Sequence, residues 1–346
     1  MTWKPFYALP NYLGGKRKLC PVIFREIARV YPSRTWHDLT LLDPCAGACS
    51  VALYAKAQGM RVIAGDIAQR SYIVQQAVIA NDGEKITSQD MAGLFQERNS
   101  YPHFVAEHFV PEHFPASFAD FLDLALAHVA DYPEAKQALL HLALFKMMKA
   151  PRIQFSDTTI SRAAQDDRLE DLAGHKAQMA ARWYLRHPAR SLREVARQIN
   201  YAIFANGHEN LAHLEDAQTL TEQWAPQVDI LYLDPPYPGV TGYETYHVLD
   251  SVFAGRLVPY QRSLWSTAQF SLQLLDLLGK AQEIPLWVIS YGSVGTTLKE
   301  ILGLVEAYRP AEAIVVEYAH LQAIARTEVA EANREFIILA KGGKHA

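Results

Sequence analysis

Apolar and polar positions follow two different rhythms along the chain. Toward the start, Leu39-Thr40-Leu41-Leu42 reads as a strand, Ser50 to Gln58 as a helix ended by Gly59, and Arg61-Val62-Ile63-Ala64 as a second strand. Residues 228–342 return to this style. Strands are expected at Val228 to Leu233, Leu286 to Tyr291, Ile314 to Tyr318 and Glu335 to Leu339, with a helix from Val258 to Gln282 between the first two. Strands alternating with helices imply an α/β fold with a mainly parallel sheet covered on both faces.

The middle of the chain shows helical periodicity with little strand signal. Helices are expected at Phe118 to Ala130, Glu134 to Met148, Arg168 to Leu185 and Ser191 to Ala202. The last opens on Ser191-Leu192-Arg193-Glu194, a capping-box pattern. The expected organisation is a discontinuous catalytic domain of residues 1–82 and 206–346, interrupted by a helical insertion at 83–205.

Composition narrows the class. Half of the 346 residues are hydrophobic and 20% are charged, which excludes disordered and collagen-like chains. No apolar run reaches the ~18–20 residues of a membrane span, and Met1 to Phe6 lacks the layout of a secretory signal. Cys20, Cys45 and Cys49 form no disulfide framework and no Cys/His grouping has zinc spacing, so no metal is expected. The expectation is a cytoplasmic protein of a reducing compartment. The net charge of −4 is unevenly spread. Residues 1–36 hold seven basic side chains against Glu26 alone, 83–145 hold three against nine acids, and 146–200 hold eleven against six. Two basic blocks fit either a local phosphate-contacting surface or solvated helix faces.

The sharpest chemical signal is Leu231-Tyr232-Leu233-Asp234-Pro235-Pro236-Tyr237. An apolar strand delivers an acid and two prolines to its C-terminal edge, where open α/β sheets bind ligands. The prolines stiffen the turn, leaving free carbonyls beside a carboxylate and a flat ring next door. Such a corner accepts two hydrogen bonds from an amino group while stacking the ring that bears it. A second signal is Asp43-Pro44-Cys45-Ala46-Gly47-Ala48-Cys49 between a strand and a helix, where small residues admit a ligand to a helix N-terminus. Asp66, followed by Ile67 at the end of the next strand, is placed to accept hydrogen bonds from ribose hydroxyls. The dinucleotide fingerprint is absent, which disfavours a dehydrogenase. A third segment, Asn11-Tyr12-Leu13-Gly14-Gly15-Lys16-Arg17-Lys18, offers cations to phosphate or carboxylate but lacks P-loop spacing; it also reads as a flexible basic turn.

In their order the three segments resemble the Dam-like, α-class adenine-N6 DNA methyltransferases. The resemblance implies a Rossmann-like class I S-adenosylmethionine-dependent methyltransferase sheet with a helical insertion for target recognition. It assigns Asp234 to the target amino group, Pro235 to the carbonyl beside it, Pro236 to the same corner and Tyr237 to stacking. It implies S-adenosylmethionine as cofactor, held by Tyr12, Lys16, Asp43, Ala46, Gly47, Asp66, Ile67, Asp216, Ala217 and Asp234. Asp216 takes the place of an acid that contacts the donor's adenine. The family has a Phe where this chain has Cys45, and a second glycine where it has Cys49.

The expected activity is site-specific adenine-N6 methylation of a flipped-out base in double-stranded DNA, with a cognate restriction endonuclease as a possible partner. Expected phosphate contacts are Lys146, Lys149, Arg152, Arg182, Arg186, Arg190, Arg193 and Arg197. Similar corners serve cytosine N4, RNA and protein amides, and a catalytically silent nucleic-acid-binding subunit keeps the same fold. Tyr243 and Tyr246 read as loop anchors, Ser290-Tyr291 as the end of a core strand, and Asn333-Arg334-Glu335 as an ion-paired turn.

Overall fold

The computed structural model describes residues 3–11, 15–111, 113–148, 187–236, 246–259, 263–292, 296–316 and 335–342. Contacts divide the chain into a sheet unit (Lys16–Ile67, Asn206–Tyr243, Gln261–Ala346) and a helical unit (Met1–Gly15, Ala68–Ala205, Glu244–Tyr260).

Among the described residues the sheet unit contains β1 (Thr40–Asp43), β2 (Arg61–Asp66), β3 (Leu211–Leu214), β4 (Ile230–Leu233), β5 (Leu286–Gly292), β6 (Ala311–Val316) and β7 (Glu335–Lys341). They lie in the order β3-β2-β1-β4-β5-β7-β6. The first five are parallel, and β7 runs antiparallel between β5 and β6. This is a Rossmann-like, mainly parallel sheet. The central strands β1, β2, β4 and β5 are buried on both faces because the sheet is covered on both there, the usual condition of parallel strands. Leu42, Ile63, Leu231, Leu233, Trp287, Ile289 and Ile338 form its core with Phe270, Leu274 and Leu277. Each such buried side chain contributes about 1.5–3 kcal/mol.

Two helices of this unit follow the first basic segment and β1: α1 (Cys20–Ala28) and α2 (Ser50–Ala57). Gly59, at φ +89°, allows the chain to turn out of α2 and into β2. Gly65 serves a different need: a Cβ there would lie 2.1 Å from Leu220 Cδ2. Only a residue without a side chain lets β2 approach the helix that carries Leu220.

The helical unit contributes α3 (Gln69–Gln75), α4 (Ser88–Gly93), α5 (Phe104–Phe109), α6 (Ala116–Val129), α7 (Glu134–Met148) and α8 (Pro188–Asn200). The sheet unit resumes with α9 (Ala217–Trp224), and α10 (His247–Ala254) returns to the helical unit. The last helices, α11 (Phe270–Lys280) and α12 (Leu298–Glu306), belong to the sheet unit. In α8 the buried residues Leu192, Val195, Ala196 and Ile199 recur at helical spacing, so Arg190, Arg193 and Arg197 fall on the exposed side.

By contacts the helical unit takes in residues 1–15, 68–205 and 244–260. Arg70 of α3, almost fully buried, pairs with Asp250 of α10 and lies 4.5 Å from the Tyr246 ring, which fastens those two helices to each other. Three boundaries differ from the sequence pattern. Ser191 is no helix cap: α8 starts at Pro188, and Glu194 binds Arg197 and Gln198 instead of reaching back. Pro188 presets the helical φ, so the helix begins three residues early. The helix expected from Val258 starts only at Phe270, because Ser263 caps a separate 3-10 turn at Leu264–Ser266. Strand β3 escaped notice in the sequence, being four residues long and only partly buried. The helix expected at Arg168 to Leu185 lies outside the described residues. Among the described residues no helix is long and apolar enough to cross a membrane.

Candidate active site

Three carboxylates collect at one edge of the sheet. Asp43 ends β1, Asp66 ends β2, and Asp234 directly follows β4. Since β2, β1 and β4 are neighbours and parallel, their C-terminal ends share an edge. The chain order reverses between β1 and β4, the position where open α/β sheets form a ligand crevice.

The loop between β1 and α2 is stitched onto the end of β2. Gly47 donates its amide to Asp66 Oδ2 at 3.0 Å, and the Ala46 amide donates to the Gly65 carbonyl at 3.0 Å. Gly47 has φ +49° and Cys49 has φ +60°. The second value explains the family preference for glycine there, since a non-glycine residue in the left-handed region is strained by about 1 kcal/mol. Ala46 and Ala48 keep the loop thin, and the exposed side chain of Ile67 offers an apolar surface beside the buried Asp66.

Asp43 is buried, and its Oδ1 has no hydrogen-bond partner among the described residues. Burial pushes its carboxyl well above the usual range, and the neighbouring charges of Asp234 and Asp66 push it further. Cys45 and Cys49 are raised by burial and by the same acids, so neither thiol is set up as a nucleophile.

The cation in this acidic corner comes from the basic N-terminal segment. Lys16 is 3% exposed, and its Nζ lies 2.9 Å from Asp234 Oδ1 and 3.9 Å from Glu335 Oε1. Asp234 keeps 22% of its side chain exposed. Pro235 is buried and Pro236 partly so, which holds the turn after β4 in place.

The sheet edge thus brings together Lys16, Asp43, Ala46, Gly47, Asp66, Ile67, Asp234, Pro235 and Pro236. Asp216 and Ala217 lie after β3, at the start of α9. Asp216 caps that helix: Oδ1 accepts the amides of Gln218 and Thr219, and Oδ2 the Thr219 hydroxyl. These bonds lower its carboxyl against the opposing effect of burial. Tyr12, Tyr237, Lys149, Arg152, Arg182 and Arg186 lie outside the described residues. Two of the expected phosphate contacts have partners inside the helical unit. Lys146 donates to the carbonyls of Tyr7 and Leu9, and Arg197 forms a two-point pair with Glu194 and bonds the Tyr201 hydroxyl.

Glu335 opens β7, as the strand expected at Glu335 to Leu339 has it, and is buried there, paired with Gly292 and Val316. Its place beside Lys16 was not foreseen in the sequence, although an acid opening an apolar strand sits at the sheet edge. Asn333 and Arg334 lie outside the described residues.

Residues 12–150 match the family model of the D12 class N6 adenine-specific DNA methyltransferases. The match covers less than half of the chain. The segments at Lys16, Asp43 to Cys49 and Asp66 fall within the match, whereas the Asp234 corner lies beyond it. Over 342 residues, 97% of this chain and 98% of its relative, the methyltransferase is 25% identical to Type II methyltransferase M2.HphI of Haemophilus parahaemolyticus. That alignment spans the strand and corner around Asp234 as well. The chain is an enzyme of adenine-N6 DNA methylation, and the matched family implies an S-adenosylmethionine-dependent reaction.

The corner suits such a donor chemically. Asp43, Asp66 and Asp234 gather around one lysine, and the Oδ1 of Asp43, without a hydrogen-bond partner among the described residues, is a buried acceptor for a donor group. A ligand that carries an ammonium, a sulfonium and a ribose diol supplies both cations and hydroxyl donors.

Proposed function

We propose that the enzyme methylates N6 of an adenine turned out of duplex DNA, with Asp234 and the Pro235 carbonyl accepting hydrogen bonds from the target amino group. The observation that carries this reading is the position of Asp234, partly open to solvent, on a proline-braced turn beside Asp43 and Asp66.

An adenine amino group is a poor nucleophile because its lone pair is shared with the ring. Two acceptors fixed in space favour a pyramidal nitrogen whose lone pair points away from the ring plane. This is positioning combined with preorganised polar stabilisation, and no prior deprotonation is required. Bound S-adenosylmethionine would supply an electrophilic methyl carbon on a cationic sulfur, with the neutral thioether as leaving group; Asp234 and the Pro235 carbonyl would stabilise the positive charge that develops on N6 as the N–C bond forms, before N6 loses a proton to solvent. Lys16, Asp43, Gly47 and Asp66, with Ile67 packing alongside, form the proposed donor site. Asp66 and the Gly47 amide hold each other in place, and Asp43 faces the donor's cationic part. Asp216 and Ala217 flank that site in the proposal, and the Asp216 carboxylate shapes it through the α9 cap.

Tyr237 is proposed to stack on the base, offsetting part of the few kcal/mol that extrusion costs. Arg190 and Arg193, exposed on α8, are proposed to contact phosphates. A type II restriction endonuclease reading the same site is the proposed partner, on the strength of the relative's name.

The test is to incubate duplex DNA with the enzyme and labelled donor and digest it to nucleosides. N6-methyladenine is the expected product. N4-methylcytosine, or label only on RNA or protein, would overturn the choice of substrate.

A further inference from the structure

Glu335 is a buried acid that the mechanism above leaves without a task. It opens β7 beside the last residue of β5, and its Oε1 lies 3.9 Å from Lys16 Nζ. Lys16 Nζ also lies 2.9 Å from Asp234 Oδ1. One ammonium is therefore shared by two carboxylates, bonded to one and within reach of the other.

That arrangement bears directly on the reaction. An ammonium is a stronger hydrogen-bond donor than an aromatic amine, so Lys16 competes with the target amino group for Asp234. A closed Lys16–Asp234 pair is also neutral as a whole and offers little to a nitrogen that is becoming cationic. A second acid changes both points. Two carboxylates and one ammonium keep one net negative charge at the corner. A shift of the flexible lysine stem by about 1 Å would bring Nζ to hydrogen-bond distance of Glu335.

We propose that Glu335 is a positioning residue that draws Lys16 away from Asp234 as the target amino group arrives, leaving the Asp234 carboxylate charged and available to it. This rests on the assignment of Asp234 to the target amino group.

The experiment measures single-turnover methylation at saturating donor and duplex, with rates normalised to the donor-binding fraction found by calorimetry. The variants are Glu335→Gln, Glu335→Met and Glu335→Asp. In both neutral variants the rate is expected to fall about tenfold or more, while donor Kd and duplex KM stay within about threefold of wild type. Glu335→Asp, which keeps the charge, is expected to recover to within about threefold of wild type. Glu335→Met covers the case in which Glu335→Gln does not fold. A neutral variant within about twofold of wild type, a loss confined to Kd or KM, or an aspartate as slow as the neutral variants would overturn the proposal. An Asp234→Asn enzyme within about tenfold of the wild-type rate would instead remove the assignment of Asp234 itself.

Discussion

Lys16 Nζ lies 2.9 Å from Asp234 Oδ1, joining residues 218 positions apart in the chain. The pair sets the N-terminal basic segment against the turn after β4, and the lysine is almost fully buried there. A buried cation beside a partly exposed acid holds that acid at a fixed place, as a group that must meet a substrate requires. The contact also gives the Gly15-Lys16 segment a structural task, which a flexible basic turn would not have.

The left-handed residue of the donor loop makes a stability prediction. Cys49→Gly deletes a buried thiol but relieves the strain of φ +60°, and the two effects offset, so the change is expected to stay within about 1 kcal/mol. Cys20→Gly deletes an equally buried thiol from the ordinary first turn of α1 and is expected to cost about 2 kcal/mol. Urea unfolding of the two variants checks the contrast. Equal losses would show that the loop stores no strain at Cys49.

Asp43 makes a prediction about pH. Its carboxyl is raised by burial and by Asp234 and Asp66, so the ionised form is disfavoured while no donor is bound. A cationic donor favours that ionised form and pulls the carboxyl down. Binding therefore releases a proton, and affinity rises with pH between the bound and free titrations, by at most about tenfold per pH unit. Calorimetry over a pH series should show this rise in the wild type and a flatter profile in Asp43→Asn. Parallel profiles would place the linked proton elsewhere.

The exposed face of α8 makes a prediction about DNA. Arg190 and Arg193 are exposed on α8, and Arg197 pairs with Glu194 and bonds the Tyr201 hydroxyl. Reversing both Arg190 and Arg193 to Glu is expected to weaken duplex binding and lower the slope of log affinity against log salt by about 1.8, near 0.9 per phosphate contact. Arg197→Ala should change the slope by less than half of that. An unchanged slope in the double variant would place the DNA elsewhere.

Much of the sheet was legible in the sequence because its strands are local apolar runs ended by glycine, proline or an acid. The stretch from Leu39 to Ala64 gave β1, α2 and β2 within a residue or two, and Leu231-Tyr232-Leu233 gave β4 with its acid at the edge. Asp43, Asp66 and Asp234 could each be placed at a strand end, and the parallel order then made them neighbours. What could not be read was pairing at a distance. Nothing near Lys16 points to Glu335, nothing near Arg70 points to Asp250, and the competing bonds that engage Lys146 exist only once the chain has folded. Asp216 shows the same limit, since an acid before a helix reads equally as a cap or as a ligand contact.

The account rests most heavily on Asp234, and one variant tests it directly. Asp234→Asn keeps the shape of the side chain but replaces an anionic acceptor with a neutral amide. Single-turnover methylation of a duplex by Asp234→Asn, at saturating donor, is predicted to fall by at least about a thousandfold while donor Kd changes less than about tenfold. A rate within about tenfold of wild type would contradict the role given to this carboxylate.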